Sequence, residues 1–202
     1  DQDGLRKRAD ERPPRERAGQ GAREEVGQEA ASRRLLLSRT LLLRDSSMKI
    51  LFLCTANSCR SILCEAVFNH LAPAGMKAYS AGSQPKGVVH PLSLKTLESA
   101  GISTTGLFSK SSDIHESLAH DFVITVCDKA AGEACPVFFG PANKAHWGLA
   151  DPSEYQGSED EIEAAFAATL EQIKTRVEAF LALPLQMDTE QLKAELALIG
   201  TL

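Results

Sequence analysis

The chain has 202 residues, 43% of them apolar and 24% charged, which fits one globular domain with a real core plus extensions. The net charge of −5 is uneven: residues 1–47 carry 11 basic and 9 acidic side chains, the remainder 11 basic and 18 acidic. An acidic body argues against nucleic acid as the main partner and makes any attraction for an anion a local matter.

Residues 1–47 are rich in Arg, Glu, Gly, Gln and Ala. Such a stretch cannot bury enough apolar surface to order itself. It is expected to be a disordered or non-native extension, with the folded chain starting at Met48. Leu35–Leu37 and Leu41–Leu43 flank Ser38-Arg39-Thr40, too short and too charged to cross a bilayer, so no membrane partner is expected. From Met48 onward strand and helix patterns alternate. Ile50–Leu53 is a continuous apolar strand, as when both faces are covered. Ser61–Leu71 reads as a helix and Lys77–Ala81 as a strand ending at Gly82. Pro91 opens a helix that Gly101 stops. Asp121–Val126 is the strongest strand, and Lys144–Trp147 a short fourth one. Glu159–Leu181 is a long helix with Ile162, Phe166, Leu170, Ile173, Val177 and Phe180 in near-helical register, ended by Pro184. Residues 184–202 are expected as a tail, with Gln191–Ile199 as one helix or a lid. The alternation predicts an α/β fold, a four-stranded parallel sheet with helices on both faces. Ligands of such sheets bind beyond the carboxyl ends of strands, where Cys54, Cys127 and Asp151 fall.

Cys54 to Ser61 reads C-T-A-N-S-C-R-S between the first strand and the first helix. Small residues let successive N–H groups turn inward as an anion nest. The helix that begins near Arg60 adds its positive end, and the Arg60 fork can grip two oxygens at once. The same field favours Cys54 as thiolate. Asn57 suits a left-handed loop position, and Ser61 can donate a hydrogen bond to the Cys54 sulfur. The pattern points to a tetrahedral oxyanion held against a sulfur nucleophile. Five cysteines, at 54, 59, 64, 127 and 135, are an odd number without a secretory leader, which fits a reducing cytoplasm. No C-x2-C pair occurs, so structural zinc is not expected.

Val126-Cys127-Asp128, Ala134-Cys135-Pro136 and His146-Trp147-Gly148-Leu149-Ala150-Asp151-Pro152 accompany the loop. With these segments the chain resembles the low-molecular-weight protein tyrosine phosphatase fold, a flavodoxin-like architecture, and more closely its arsenate reductase branch. The resemblance covers Met48 to about Leu183 and implies one domain over 48–183. It implies arsenate as substrate, cradled by Thr55, Ala56, Asn57, Ser58, Cys59, Arg60 and Ser61. Cys54 is then the nucleophile, Arg60 the oxyanion clamp and Asp151 the general acid. A second thiol must attack Cys54 to release arsenite, for which Cys127 is the candidate, and Cys135 would resolve that disulfide. Thioredoxin is the implied reductant. The two relay thiols stand about one residue further apart than in thioredoxin-coupled members, so a glutathione- or glutaredoxin-coupled variant stays open beside it. No tightly bound cofactor is implied. Some reductases of the family hold a potassium ion beside the loop, and the matching oxygen donors here are Asn57, Glu65, Ser80 and Asp113.

Cys59 fits the second loop cysteine of both branches, and Cys64 has no implied role. Ser153 stands where phosphatases of this fold carry an aromatic residue after Asp-Pro, which speaks against a phosphotyrosine substrate. His90 and His146 read as structural, and His70, His115 and His120 as surface or helix-end residues. The rival reading is a low-molecular-weight phosphatase that hydrolyses phosphate monoesters through a phosphocysteine at Cys54. A third is a non-catalytic oxyanion or metalloid sensor.

Overall fold

The computed structural model describes residues 47–127, 140–184 and 187–202. The expectations for residues 1–46 and for Cys135 lie outside the described residues.

Strand β1, Met48–Cys54, is apolar on both sides. Ile50, Phe52 and Cys54 face one way and Leu51 and Leu53 the other, all buried. It pairs with β2, Met76–Gly82, and with β3, Phe122–Thr125, while β4, Asn143–His146, lies outside β3. The order is β2-β1-β3-β4 and every pairing is parallel. Leu53 is level with Ala81 on one side and Thr125 on the other, and Thr125 with His146, so the carboxyl ends of the strands form one edge. The chain leaves β1 toward β2 and then returns past it to β3. That reversal opens a crevice between the ends of β1 and β3, the usual ligand site of such sheets.

Among the described residues four α-helices pack on the Ile50/Phe52 face: α1, Arg60–Leu71; α2, Pro91–Ser99; α3, Glu159–Leu181; and α4, Thr189–Ile199. Helix α3 starts at a capping box, Ser158 with Glu161. It buries Phe166, Leu170, Ile173, Val177 and Phe180 at alternating steps of three and four. Phe180 meets the rings of Phe68, Phe122 and Trp147. Burial of each such side chain contributes about 1.5–3 kcal/mol. The opposite face presents Leu51, Leu53, Ala81 and Val123. Among the described residues its cover is the 3₁₀ helix Ser112–His115, whose His115 ring packs on Tyr79 and reaches the Ser80 carbonyl at 3.1 Å.

The C-terminal segment is not a tail. Asp188 and Gln191 form a second capping box, and Leu196 and Ile199 enter the main core. The Trp147 indole donates to the Leu196 carbonyl at 3.2 Å. The sequence left the partner of this short amphipathic stretch open, and the partners are β4 and α3.

Candidate active site

The loop after β1 is shaped from outside. The carbonyls of Cys54, Thr55, Ala56 and Ser58 accept from the N–H groups of Ser83, Gln84, Lys86 and His90 at 3.1, 2.9, 2.9 and 2.8 Å. In planar trans peptides each outward carbonyl turns the next N–H the other way. The N–H groups of Thr55, Ala56, Asn57 and Cys59 therefore turn inward as a nest for negative charge. The Asn57 N–H donates to Cys54 Sγ at 3.0 Å. Asn57 has φ 44°, the one positive value at a non-glycine position among the described residues. A Cβ at Gly82 would lie 2.5 Å from the Thr55 carbonyl oxygen, so β2 ends in glycine because the loop backbone passes there.

Helix α1 begins at the other side of the loop with no side-chain cap from Cys59. Its first nine residues, Arg60 to Phe68, are buried. A buried, uncapped helix start leaves N–H donors for an anion. Ser61 Oγ sits 2.9 Å from Cys54 Sγ and accepts from Asn57 Nδ2 at 2.9 Å. With that lone pair engaged, its hydrogen is free for the sulfur.

Arg60 is buried and its fork is turned toward the fourth strand's loop. Nη2 donates to Asp151 Oδ2 at 2.7 Å and Nη1 to the Leu149 carbonyl at 3.0 Å. Asp151 Oδ1 accepts from Ser153 N at 3.0 Å and Ser153 Oγ at 2.6 Å. The carboxylate thus caps the 3₁₀ helix Pro152–Glu154 and is tied to the loop arginine at once. Ser153, noticed in the sequence only for the aromatic it replaces, is a direct partner of Asp151.

The thiols differ in setting. Burial pushes the Cys59 thiol up to about 12, with a Ser93 hydrogen bond opposing. Burial also raises Cys64, with the neighbouring Cys54 adding to it. Both stay protonated at neutral pH and act as core residues. Cys54 is a free thiol. The Val126 N–H donates to the Leu53 carbonyl at 2.9 Å, so Cys54 is level with Val126 and one step from Cys127 on the neighbouring strand end. Cys127 is fully buried and in a disulfide.

The potassium donor set does not fit an added cation. Lys110 Nζ, 3.0 Å from Glu65 Oε2 and 3.2 Å from Ser80 Oγ, already stands among these oxygens. Ser80 Oγ donates to Glu65 Oε2 at 2.5 Å and accepts from Asn57 Nδ2 at 2.9 Å. Asn57 Oδ1 accepts from the Lys110 N–H at 2.7 Å. Asp113 is exposed, in the first turn of the 3₁₀ helix. No cluster of three His, Cys, Asp or Glu side chains suited to a metal occurs among the described residues. Lys110 carried no signal in the sequence, because a lysine between two polar loop residues reads as solvated.

Residues 49–197 match the family described as low molecular weight phosphotyrosine protein phosphatase. The chain belongs to this family. An arsenate reductase of Shouchella clausii (strain KSM-K16) is 34% identical over 134 residues, 65% of this chain and 93% of that protein. One from Bacillus subtilis (strain 168) is 34% identical over 131 residues, again 65% and 93%. The crystal structure of an arsenate reductase from Archaeoglobus fulgidus DSM 4304 has a TM-score of 0.53 and 26% identity, covering 64% of this chain and 98% of that one. The family match runs into α4, in keeping with the place of that helix in the core.

Four of the five histidines of this family member make packing or hydrogen-bond contacts. His90 caps α2 through Nδ1 to the Leu92 N–H at 3.2 Å and stacks on Phe166. His146 Nδ1 meets Thr125 Oγ1 at 2.9 Å. His115 ends the 3₁₀ helix, as the helix-end reading has it, but both His115 and His120 are buried against Tyr79 rather than on the surface. Their burial has no periodic signal in the sequence, since a single 3₁₀ turn and a loop hold them. No helix among the described residues is long and apolar enough to cross a membrane.

Proposed function

We propose that the protein is an arsenate reductase that uses Cys54, Cys127 and Cys135 in turn. The reading is carried by Cys54, a free thiol inside the anion nest, one register step from a second cysteine already engaged in a disulfide. The relatives named arsenate reductase support it.

Arsenate enters the nest with its oxygens on the inward N–H groups and the Arg60 fork. The Cys54 sulfur attacks arsenic, an oxygen leaves, and Asp151 supplies the proton that turns it into water. General acid help of this kind is worth about 10²–10⁴-fold. The Cys127 thiolate then attacks the Cys54 sulfur. The S–As bond breaks, its electron pair stays on arsenic, and arsenite leaves. Two sulfurs have lost the two electrons that arsenic gained. Cys135 next attacks Cys127, frees Cys54 as a thiolate and leaves a Cys127–Cys135 disulfide. Thioredoxin, or glutathione with glutaredoxin, reduces that bond by the same exchange. Thiol chemistry reset by such reductants suits the cytoplasm.

The test is to incubate reduced protein with arsenate alone and map disulfides by peptide mass spectrometry. The expected product is one arsenite per protein, a Cys127–Cys135 bridge and Cys54 as thiol. Cys127→Ser should abolish turnover of arsenate. A Cys127→Ser protein that keeps full turnover of an aryl phosphate and never released arsenite in its wild-type form would instead be the hydrolytic phosphatase. Ser153, bonded to Asp151 where an aromatic wall would stand, favours the reductase.

A further inference from the structure

We propose that Lys110 is a built-in cation of the loop: its ammonium takes the place of a bound monovalent ion and orients the hydrogen bonds that reach Cys54. The inference rests on reading the loop as an oxyanion site, not on arsenate being reduced there.

Lys110 is buried, 6% exposed, in a position where lysine is seldom found without partners. Its three ammonium hydrogens meet three acceptors: Glu65 Oε2 at 3.0 Å, Ser80 Oγ at 3.2 Å and the Phe108 carbonyl at 3.0 Å. The same residue is pinned through its backbone. Its N–H donates to Asn57 Oδ1 at 2.7 Å, and its carbonyl accepts from the Gly82 N–H at 2.9 Å. An ammonium so placed has no freedom to move out to water.

The direction of the hydrogen bonds follows from this residue. Because the Lys110 N–H fixes Asn57 Oδ1, the amide must aim Nδ2 at Ser61 Oγ and Ser80 Oγ, both at 2.9 Å. Ser80, filled on its acceptor side, gives its hydrogen to Glu65 at 2.5 Å. Ser61 Oγ accepts from Asn57 as well, which leaves its own hydrogen able to turn toward Cys54 Sγ, 2.9 Å away. Glu65 would otherwise be a buried negative charge beside a site for anions. Like charges in a poorly screened interior repel strongly, and an unpaired buried carboxylate is costly. Lys110 cancels it from within the chain. The geometry therefore makes anion binding independent of potassium.

Inorganic phosphate is the probe, and its affinity is read as protection of Cys54 from iodoacetamide. Measurements run in potassium chloride and in choline chloride of equal ionic strength. Wild type should bind phosphate equally in both salts. Lys110→Ala leaves a space among three oxygens, so it should bind at least tenfold more weakly in choline and recover most of that loss in potassium. Lys110→Met fills the space without charge and should stay weak in both. A structural role alone would not produce recovery by potassium in one variant and none in the other. Should Lys110→Ala unfold in choline, its melting temperature should rise in potassium while wild type does not shift. Wild-type affinity that rises several-fold with potassium, or Lys110→Met that binds as wild type, would overturn the proposal. Absence of phosphate binding by wild type would overturn it together with the oxyanion reading. Phosphate binding without arsenate reduction would sink the reductase reading alone.

Discussion

At the scale of single residues, Asn57 carries the greatest number of roles in the loop. Its backbone N–H touches the nucleophile, its amide bonds Ser61, Ser80 and Lys110, and its φ of 44° is one that L side chains avoid. Two substitutions separate these roles. Asn57→Gly keeps the backbone comfortable and removes the amide. Asn57→Ala removes the amide and also forces a Cβ into the left-handed region, which costs about 1–2 kcal/mol more. Each lost hydrogen bond contributes about 0.5–1.5 kcal/mol, and more where a buried partner is stranded. Urea denaturation should rank wild type above Asn57→Gly above Asn57→Ala, and both variants should lose arsenate turnover. Equal stability of the two variants would show that the left-handed conformation is not enforced by the fold. The sequence made Asn57 legible because the whole motif is contiguous from Cys54 to Ser61. It hid Lys110 and Ser153, whose meaning depends on contacts with residues 45 positions away and on a carboxylate two residues back.

At the scale of elements, strands and helices followed the sequence pattern closely where the pattern was long. The near-helical apolar spacing of α3 gave its register, and the apolar run of β1 gave a strand covered on both faces. Helix α4 was visible as a helix but not as part of the core, because eleven residues do not say what they pack against. Its burial gives a sharp expectation. Leu196 is 1% exposed, and truncating a buried leucine to alanine costs about 2–5 kcal/mol. Leu196→Ala should lower stability by that order, measured by chemical denaturation, whereas Leu198→Ala, at an exposed position, should change it little. A small effect of Leu196→Ala would mean that α4 adds nothing to the core. Gly200 supports the close fit, since a Cβ there would lie 2.5 Å from the His146 carbonyl oxygen.

At the scale of the whole molecule, the two sheet faces answer differently to acid. The α-helical face holds its core with apolar side chains, while the other face buries two imidazoles. Burial lowers His115, with Lys110 adding to this and the Ser80 carbonyl and Glu65 opposing it. Burial also lowers His120, helped by His115 and Lys49 and opposed by Asp121. The rings lie 6.0 Å apart, so a first proton makes the second harder to add. In the unfolded chain both take up protons near their ordinary value of 6.5, while the folded protein resists until the pH is lower. The unfolded state then binds more protons, and stability falls as pH drops below about 6.5. Phenylalanine at position 120 keeps a ring against Tyr79, 6.0 Å away in wild type, and cannot take a proton. Between pH 7.5 and 5.5 the unfolding free energy of wild type should fall more steeply than that of His120→Phe. Parallel slopes would place the acid sensitivity elsewhere in the molecule.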